Sequence, residues 1–191
     1  MTSQSTCCVS ETWHEENSVS IRRQCVEGLQ VFERARPRSV SELSTLSTNH
    51  GGVVTAASRS VWLTAINNRN RKRSFQHVCA RVTSCSSSCS VLLIYRPGSR
   101  AADASFFTEL SDLLDRLMML SDPIMIVGDL NVRMDRPDDL HCRRLHELLA
   151  KYTLSCRSSS LALDHRGLLD VQQLINMCTK SDDSNFFASQ G

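Results

Sequence analysis

Hydrophobic and polar positions along this chain fall into two kinds of run. In 28–33, Leu29 and Val31 alternate with polar neighbours, and in 75–82 Val78, Ala80 and Val82 share one face. A period of two predicts strands with one covered face. Segments 6–10, 53–57 and 61–66 are short runs of the same class, and 53–57 follows two glycines. Runs 91–95 and 124–127 are apolar without a break, which predicts central strands covered on both sides. Two longer segments have helical spacing. In 103–120, Phe106, Leu110, Leu113, Leu114 and Leu117 recur every three or four residues behind Asp103 or Ser105 as N-cap. In 139–151, Leu145, Leu148 and Leu149 form a stripe behind Asp138 or Asp139. Strands, then helix, strand, helix and strands predict a layered α/β domain with mixed sheets.

A length of 191 residues makes this one domain with a real core. With 41% hydrophobic and 22% charged residues, the composition excludes a disordered tail. The longest apolar run, 91–95, is far short of a membrane span, so no membrane association is expected. A net charge of +2 excludes a strongly basic, histone-like binder. Lys72, Lys151 and Lys180 are the only lysines, and the remaining basic charge is arginine, whose fork matches phosphate. Residues 1–20 have neither a basic n-region nor an apolar h-region, so no secretory signal is visible. The nine cysteines then read as reduced intracellular thiols. Cys85-x3-Cys89 and His141-Cys142 with His146 have loose zinc spacing without a matched second pair, so small, partly buried thiols are expected. The stretch 35–49 and the serine clusters 84–90 and 158–160 read as loops.

Candidate chemistry gathers at predicted strand ends. Glu11 lies in Ser10-Glu11-Thr12-Trp13, Tyr95 in Tyr95-Arg96-Pro97, Asp129 and Asn131 in Gly128-Asp129-Leu130-Asn131, and Asp170 in Leu168-Leu169-Asp170-Val171. A carboxylate such as Asp129 accepts a proton or orients a water, and an amide such as Asn131 donates to a developing oxyanion. Glu11 suits a magnesium ion, which takes one or two carboxylates and keeps several waters. The Tyr95 hydroxyl suits a phosphate oxygen. Singly, each fits a bland role as surface carboxylate, turn, strand end or cap. Their order and setting carry the signal.

That order resembles the endonuclease/exonuclease/phosphatase superfamily, and more closely the endonuclease domain of non-LTR (LINE-type) retrotransposons. His50-Gly51-Gly52-Val53-Val54 and Phe106-Phe107-x-Glu109-Leu110 support the four motifs, and the resemblance spans 7–176. It implies a four-layered α/β sandwich with two mixed β-sheets, and hydrolysis of phosphodiester or phosphomonoester bonds with Mg2+ or Mn2+. It implies that Glu11 holds the metal, Tyr95 contacts the scissile phosphate, and Asp129 positions or deprotonates the water. Asn131 then stabilises the transition state, and Asp170 orients a histidine. The implied partners are DNA and a reverse transcriptase domain, in the nucleus.

The sequence departs from the family pattern at two places. No asparagine precedes Glu11, and none of the six histidines lies in the family's closing Ser-Asp-His motif. The expectation is therefore an incomplete sandwich: residues 1–191 as a fragment without the first strand and the last motif, with impaired hydrolysis. The alternative is a non-catalytic remnant or nucleic-acid-binding module of the same fold. A third reading keeps the fold and changes the substrate to an inositol phosphate, sphingomyelin or an mRNA tail. In the endonuclease case an acidic metal pocket ringed by arginines is expected, with Arg96 and Arg133 beside the motifs, and the basic loop 69–73 is expected to meet phosphates.

Overall fold

The computed structural model describes residues 6–15, 18–26, 28–36, 51–67, 74–85, 87–99 and 101–155, and two short strands at 157–158 and 175–176. In chain order the elements are β1 (Thr6–Ser10), α1 (Val19–Val26), β2 (Gln30–Arg34), β3 (Val53–Ala57), β4 (Trp62–Ala65), β5 (Gln76–Thr83) and β6 (Ser88–Tyr95). They continue with α2 (Ala104–Leu117), β7 (Ile124–Asp129), α3 (Leu140–Lys151), β8 (Arg157–Ser158) and β9 (Ile175–Asn176). One sheet has the order β1-β3-β2 and is antiparallel throughout. The other has the order β4-β5-β6-β7, and only its β6–β7 pair is parallel. Helix α2 is the crossover that a parallel pair needs. The two sheets face each other, α1 lies against β2, and α2 and α3 cover the outer face of the larger sheet. This is the expected α/β sandwich.

Side-chain alternation assigns the faces. On β6, Leu92 and Ile94 join Ile124 and Ile126 of β7 in a core with Phe106, Leu110, Leu113, Leu114 and Leu117 of α2 and Leu145 and Leu149 of α3. Each such side chain fully buried contributes roughly 1.5–3 kcal/mol. On the opposite face, Val91, Leu93 and Tyr95 of β6 and Val127 of β7 pack with Val53 of β3. The last residues of β6 and β7, Tyr95 and Asp129, therefore point between the two sheets. Both main helices start where the spacing places them: Asp103 accepts from the Phe106 N–H, and Asp139 from those of His141 and Cys142.

Two expectations need correction. The serine-rich loop ends earlier than predicted, because Ser88, Cys89 and Ser90 already belong to β6. Ser88 and Ser90 direct their hydroxyls to Asp122, and Cys89 packs between the sheets. Helix α1 was not expected: it is short, largely exposed and has no apolar stripe to betray it. Among the described residues, no helix is long and apolar enough to cross a membrane.

Candidate active site at the rim between the sheets

Tyr95 and Asp129 are in register at the ends of the parallel pair β6–β7, and the Arg96 N–H continues the ladder to the Asp129 carbonyl at 2.8 Å. Glu11 immediately follows β1 and accepts a hydrogen bond from the Tyr95 hydroxyl. Burial raises the Tyr95 pKa, and so do this bond and the negative charges of Glu11 and Asp129, so the phenol stays a protonated donor. Asn131 completes the group. Its backbone N–H donates to Asp129 Oδ1 at 2.7 Å, and its Nδ2 donates to Asp129 Oδ2 at 2.9 Å and to the Arg96 carbonyl at 2.6 Å. Four of the five site residues expected from the sequence thus lie around one rim, and the fifth, Asp170, is outside the described residues.

The backbone is forced here. Glu11, Trp13 and Asn131 have φ of 54, 49 and 49°, in the left-handed region that non-glycine residues avoid. Such outliers cost roughly 1–3 kcal/mol each and persist only where the surroundings hold them. The surroundings here are specific. Thr12 and Trp13 N–H groups donate to the Gly52 and Gly51 carbonyls at 3.3 and 2.8 Å. A Cβ on Gly52 would lie 2.6 Å from Thr12 Oγ1 and 2.9 Å from His14 Nδ1, so only glycine lets the turn close. Likewise a Cβ on Gly98 would lie 2.7 Å from Asn131 Oδ1.

Three residues that the sequence did not single out support the rim. His14 is buried, hydrogen-bonds Thr12 Oγ1 through Nδ1, and places Nε2 2.9 Å from Glu33 Oε2 on β2. Burial lowers its pKa and Glu33 opposes that, so the ring is neutral at neutral pH. Gln76, in register with Tyr95, accepts from the Gly52 N–H at 2.6 Å and ties the two sheets together. Arg36 acts electrostatically on Tyr95 and opposes the rise in its pKa. His14 had one available signal, its place three residues after Glu11. Arg36 had none, because it lies in a stretch that reads as loop.

Arg96 departs from expectation. It does not stand on the rim for a phosphate but is only 4% exposed. Its Nε donates to the Leu130 carbonyl at 2.6 Å, NH1 to Pro97 O at 3.3 Å and NH2 to Asn131 O, and the guanidinium lies 5.5 Å over the Phe106 ring. Arginine is chosen because its fork serves several carbonyls at once and tolerates desolvation. It organises the Asp129–Asn131 turn from below. Arg133 is exposed, and the basic loop 69–73 lies outside the described residues.

Solved structures share this architecture. The catalytic domain of human Nocturnin, solved with a bound sulfate anion, matches over 91% of this chain and 68% of its own, with a TM-score of 0.58 and 15% identity. The 3' phosphatase NExo from Neisseria, solved bound to a product DNA hairpin, matches over 91% and 75%, with a TM-score of 0.54 and 13% identity. The endonuclease domain of TRAS1, a telomere-specific non-LTR retrotransposon, matches over 80% and 68%, with a TM-score of 0.52 and 13% identity. The chain has the endonuclease/exonuclease/phosphatase fold. By sequence, no family model and no curated protein matches it.

On this fold the rim offers hard oxygen donors, the carboxylates of Glu11 and Asp129, both acting on Tyr95. Magnesium or manganese suits such a set, since these ions take one or two carboxylates and fill the rest with water and phosphate oxygens. Among the described residues, no three His, Cys, Asp or Glu side chains gather where together they could hold a metal ion, so the protein offers at most this pair of carboxylates.

Proposed function

We propose that the chain is a divalent-metal-dependent phosphodiesterase acting on DNA, of the kind carried by non-LTR retrotransposons. The observation that carries this reading is the Tyr95–Glu11 hydrogen bond with Asp129 in register beside it, at the open end of two facing sheets. Glu11 would hold Mg2+ or Mn2+, which would neutralise charge on the phosphate and leaving oxygen. Asp129, both of whose oxygens accept from Asn131, would position or deprotonate the attacking water through a remaining lone pair. The Asn131 amide would donate to the charge that develops on the phosphoryl oxygens by turning one N–H away from Asp129 Oδ2 or the Arg96 carbonyl, which hold both of its hydrogens. Tyr95, kept protonated, would donate to a phosphate oxygen. Asp170 would orient a histidine. TRAS1 supports the retrotransposon part of the reading, and NExo, bound to product DNA, supports the substrate. The same reading puts the protein in the nucleus with a reverse transcriptase domain as partner.

None of the six histidines lies in a Ser-Asp-His run. A general acid/base is worth roughly 10²–10⁴ in rate, so hydrolysis by these 191 residues is expected to be slow. The same observation favours a second reading, a nucleic-acid-binding module that does not cut. Nicking of supercoiled plasmid with magnesium separates the two. Slow nicking by the unaltered chain, lost in Asp129→Ala, supports the nuclease. Equal nicking by both removes Asp129 from the reaction. DNA binding without nicking at any magnesium concentration leaves the binding module.

A further inference from the structure

Thr12 stands between two left-handed residues, Glu11 and Trp13, with φ of 54 and 49°. Such a turn relaxes unless something holds its middle residue. The backbone holds Thr12 weakly, because its N–H reaches the Gly52 carbonyl only at 3.3 Å. The side chain supplies the rest. Thr12 Oγ1 hydrogen-bonds Nδ1 of the buried His14, whose Nε2 lies 2.9 Å from Glu33 Oε2. A carboxylate at Nε2 favours the ring proton there, so Nδ1 accepts and the Thr12 hydroxyl donates. Glu33 belongs to β2, and Glu11 reaches β6 through Tyr95. One polar chain thus runs from an edge strand of the smaller sheet, through His14 and Thr12, to the turn that carries Glu11 and on to the larger sheet. We propose that His14 is a positioning residue: acting through the Thr12 hydroxyl, with Glu33 behind it, it fixes the turn in which Glu11 holds a divalent cation.

This role deepens the metal-dependent reading above and rests on it. Strand β1 pairs with β3 over its whole length before the turn begins, so the sheet does not depend on the Thr12–His14 bond. Losing that bond removes a hydrogen bond but releases the strain of two left-handed residues, and the two effects offset each other in stability. Nothing offsets the loss at Glu11, whose carboxylate no longer has a fixed approach. Removing an outer partner of a metal ligand commonly weakens metal binding roughly ten- to a hundredfold. Metal affinity should therefore fall while the stability of the fold stays nearly level. A histidine that merely filled the interior would lower stability first, and metal affinity only as the fold is lost.

The test uses the whole chain with Mn2+ as the probe, titrated by electron paramagnetic resonance, in which the free aqueous ion gives the signal. Thr12→Ala is expected to weaken Mn2+ binding roughly ten- to a hundredfold, and Thr12→Ser, which keeps the hydroxyl, to restore it to within a few-fold. His14→Gln, whose amide falls beyond the Nδ1 position, should match Thr12→Ala. The double variant should bind no more weakly than either single one, because both substitutions remove the same bond. Urea midpoints of all these variants are expected to stay close to that of the unaltered chain. Should His14→Gln unfold, the two Thr12 variants carry the test. Unchanged Mn2+ affinity in Thr12→Ala, with the ion lost in Glu11→Gln, overturns the role of His14, and so does failure of Thr12→Ser to restore binding. No Mn2+ binding by the unaltered chain, or equal binding by Glu11→Gln, overturns instead the metal reading beneath it.

Discussion

Strand β7 has a carboxylate near each end, Asp122 two residues before it and Asp129 as its last residue. Asp122 accepts from the Ser88 hydroxyl at 2.7 Å and the Ser90 hydroxyl at 3.4 Å, and pairs with Arg81 Nε at 2.6 Å. It clasps β5 and β6 to the start of β7, and none of its partners has a left-handed backbone. Asp129 is also hydrogen-bonded, but to Asn131, which has one, and it stands beside Tyr95 and the strained Glu11 turn. A carboxylate at a strand end is therefore not by itself a sign of chemistry. Strain in the neighbouring backbone, held by glycines where a Cβ would collide, separates the working end from the clasp.

The sharpest way to break this contrast is to remove each carboxylate in turn. Asp129→Ala is expected to lower plasmid nicking by roughly 10²–10⁴ while moving the urea midpoint little. Asp122→Ala should do the reverse: nicking within a few-fold of the unaltered chain, and about 1–3 kcal/mol less stability, because Ser88, Ser90 and Arg81 lose their shared acceptor. A comparable nicking defect in both variants would mean that the two ends do not differ in kind.

Glycines sharpen the comparison at the next scale. Gly128 has φ of 117°, and a Cβ there would lie 1.9 Å from the Ile94 carbonyl oxygen, a backbone atom that cannot move aside. Gly128→Ala is expected to cost about 4 kcal/mol or more and to abolish cooperative unfolding, since it prevents β6 and β7 from pairing. Gly98→Ala meets only the Asn131 side chain. It should leave the urea midpoint within about 1 kcal/mol and still reduce nicking, because Asn131 must shift. Equal stability losses in the two variants would contradict the distinction.

Much of this was legible in the chain. The covered face of β5 follows from its period-two pattern, the two-sided burial of β6 and β7 from their unbroken apolar runs, and α2 from its 3.6-residue period, because a core imposes the same burial on every turn. Glu11, Tyr95, Asp129 and Asn131 were legible as strand-end residues in a known order. What pattern could not give is partnership at long range. Ser88 and Ser90 read as loop because their acceptor, Asp122, is more than thirty residues away. Arg96 read as a surface cation because nothing local announces that the Leu130 and Asn131 carbonyls will turn toward it. His14 is held by Glu33, which sits on another strand of the sheet. The legible part is set by local burial, and the illegible part by polar groups that are satisfied only once the sheets have met.

The smallest expected effect concerns acid, and it tests whether the rim and the clasp also titrate apart. Burial holds the His14 pKa below its ordinary 6.5, with Glu33 only partly opposing. The folded state then binds fewer protons than the unfolded one once the pH falls below 6.5, so stability drops from there down to the folded-state pKa and then levels off. Asp122 behaves likewise in a lower window. Desolvation would raise its pKa, but the Ser88 hydroxyl and the Arg81 guanidinium outweigh that and hold it below the ordinary 3.8. Its stabilisation is complete above 3.8 and is lost as the pH falls through the folded-state value. Urea midpoints measured from pH 8 to pH 3 should therefore fall in two steps. His14→Gln is expected to flatten only the step below 6.5, and Asp122→Asn only the step below 3.8. Loss of both steps in either variant would show that the two ends unfold as one electrostatic unit, and the separation drawn between them would fail.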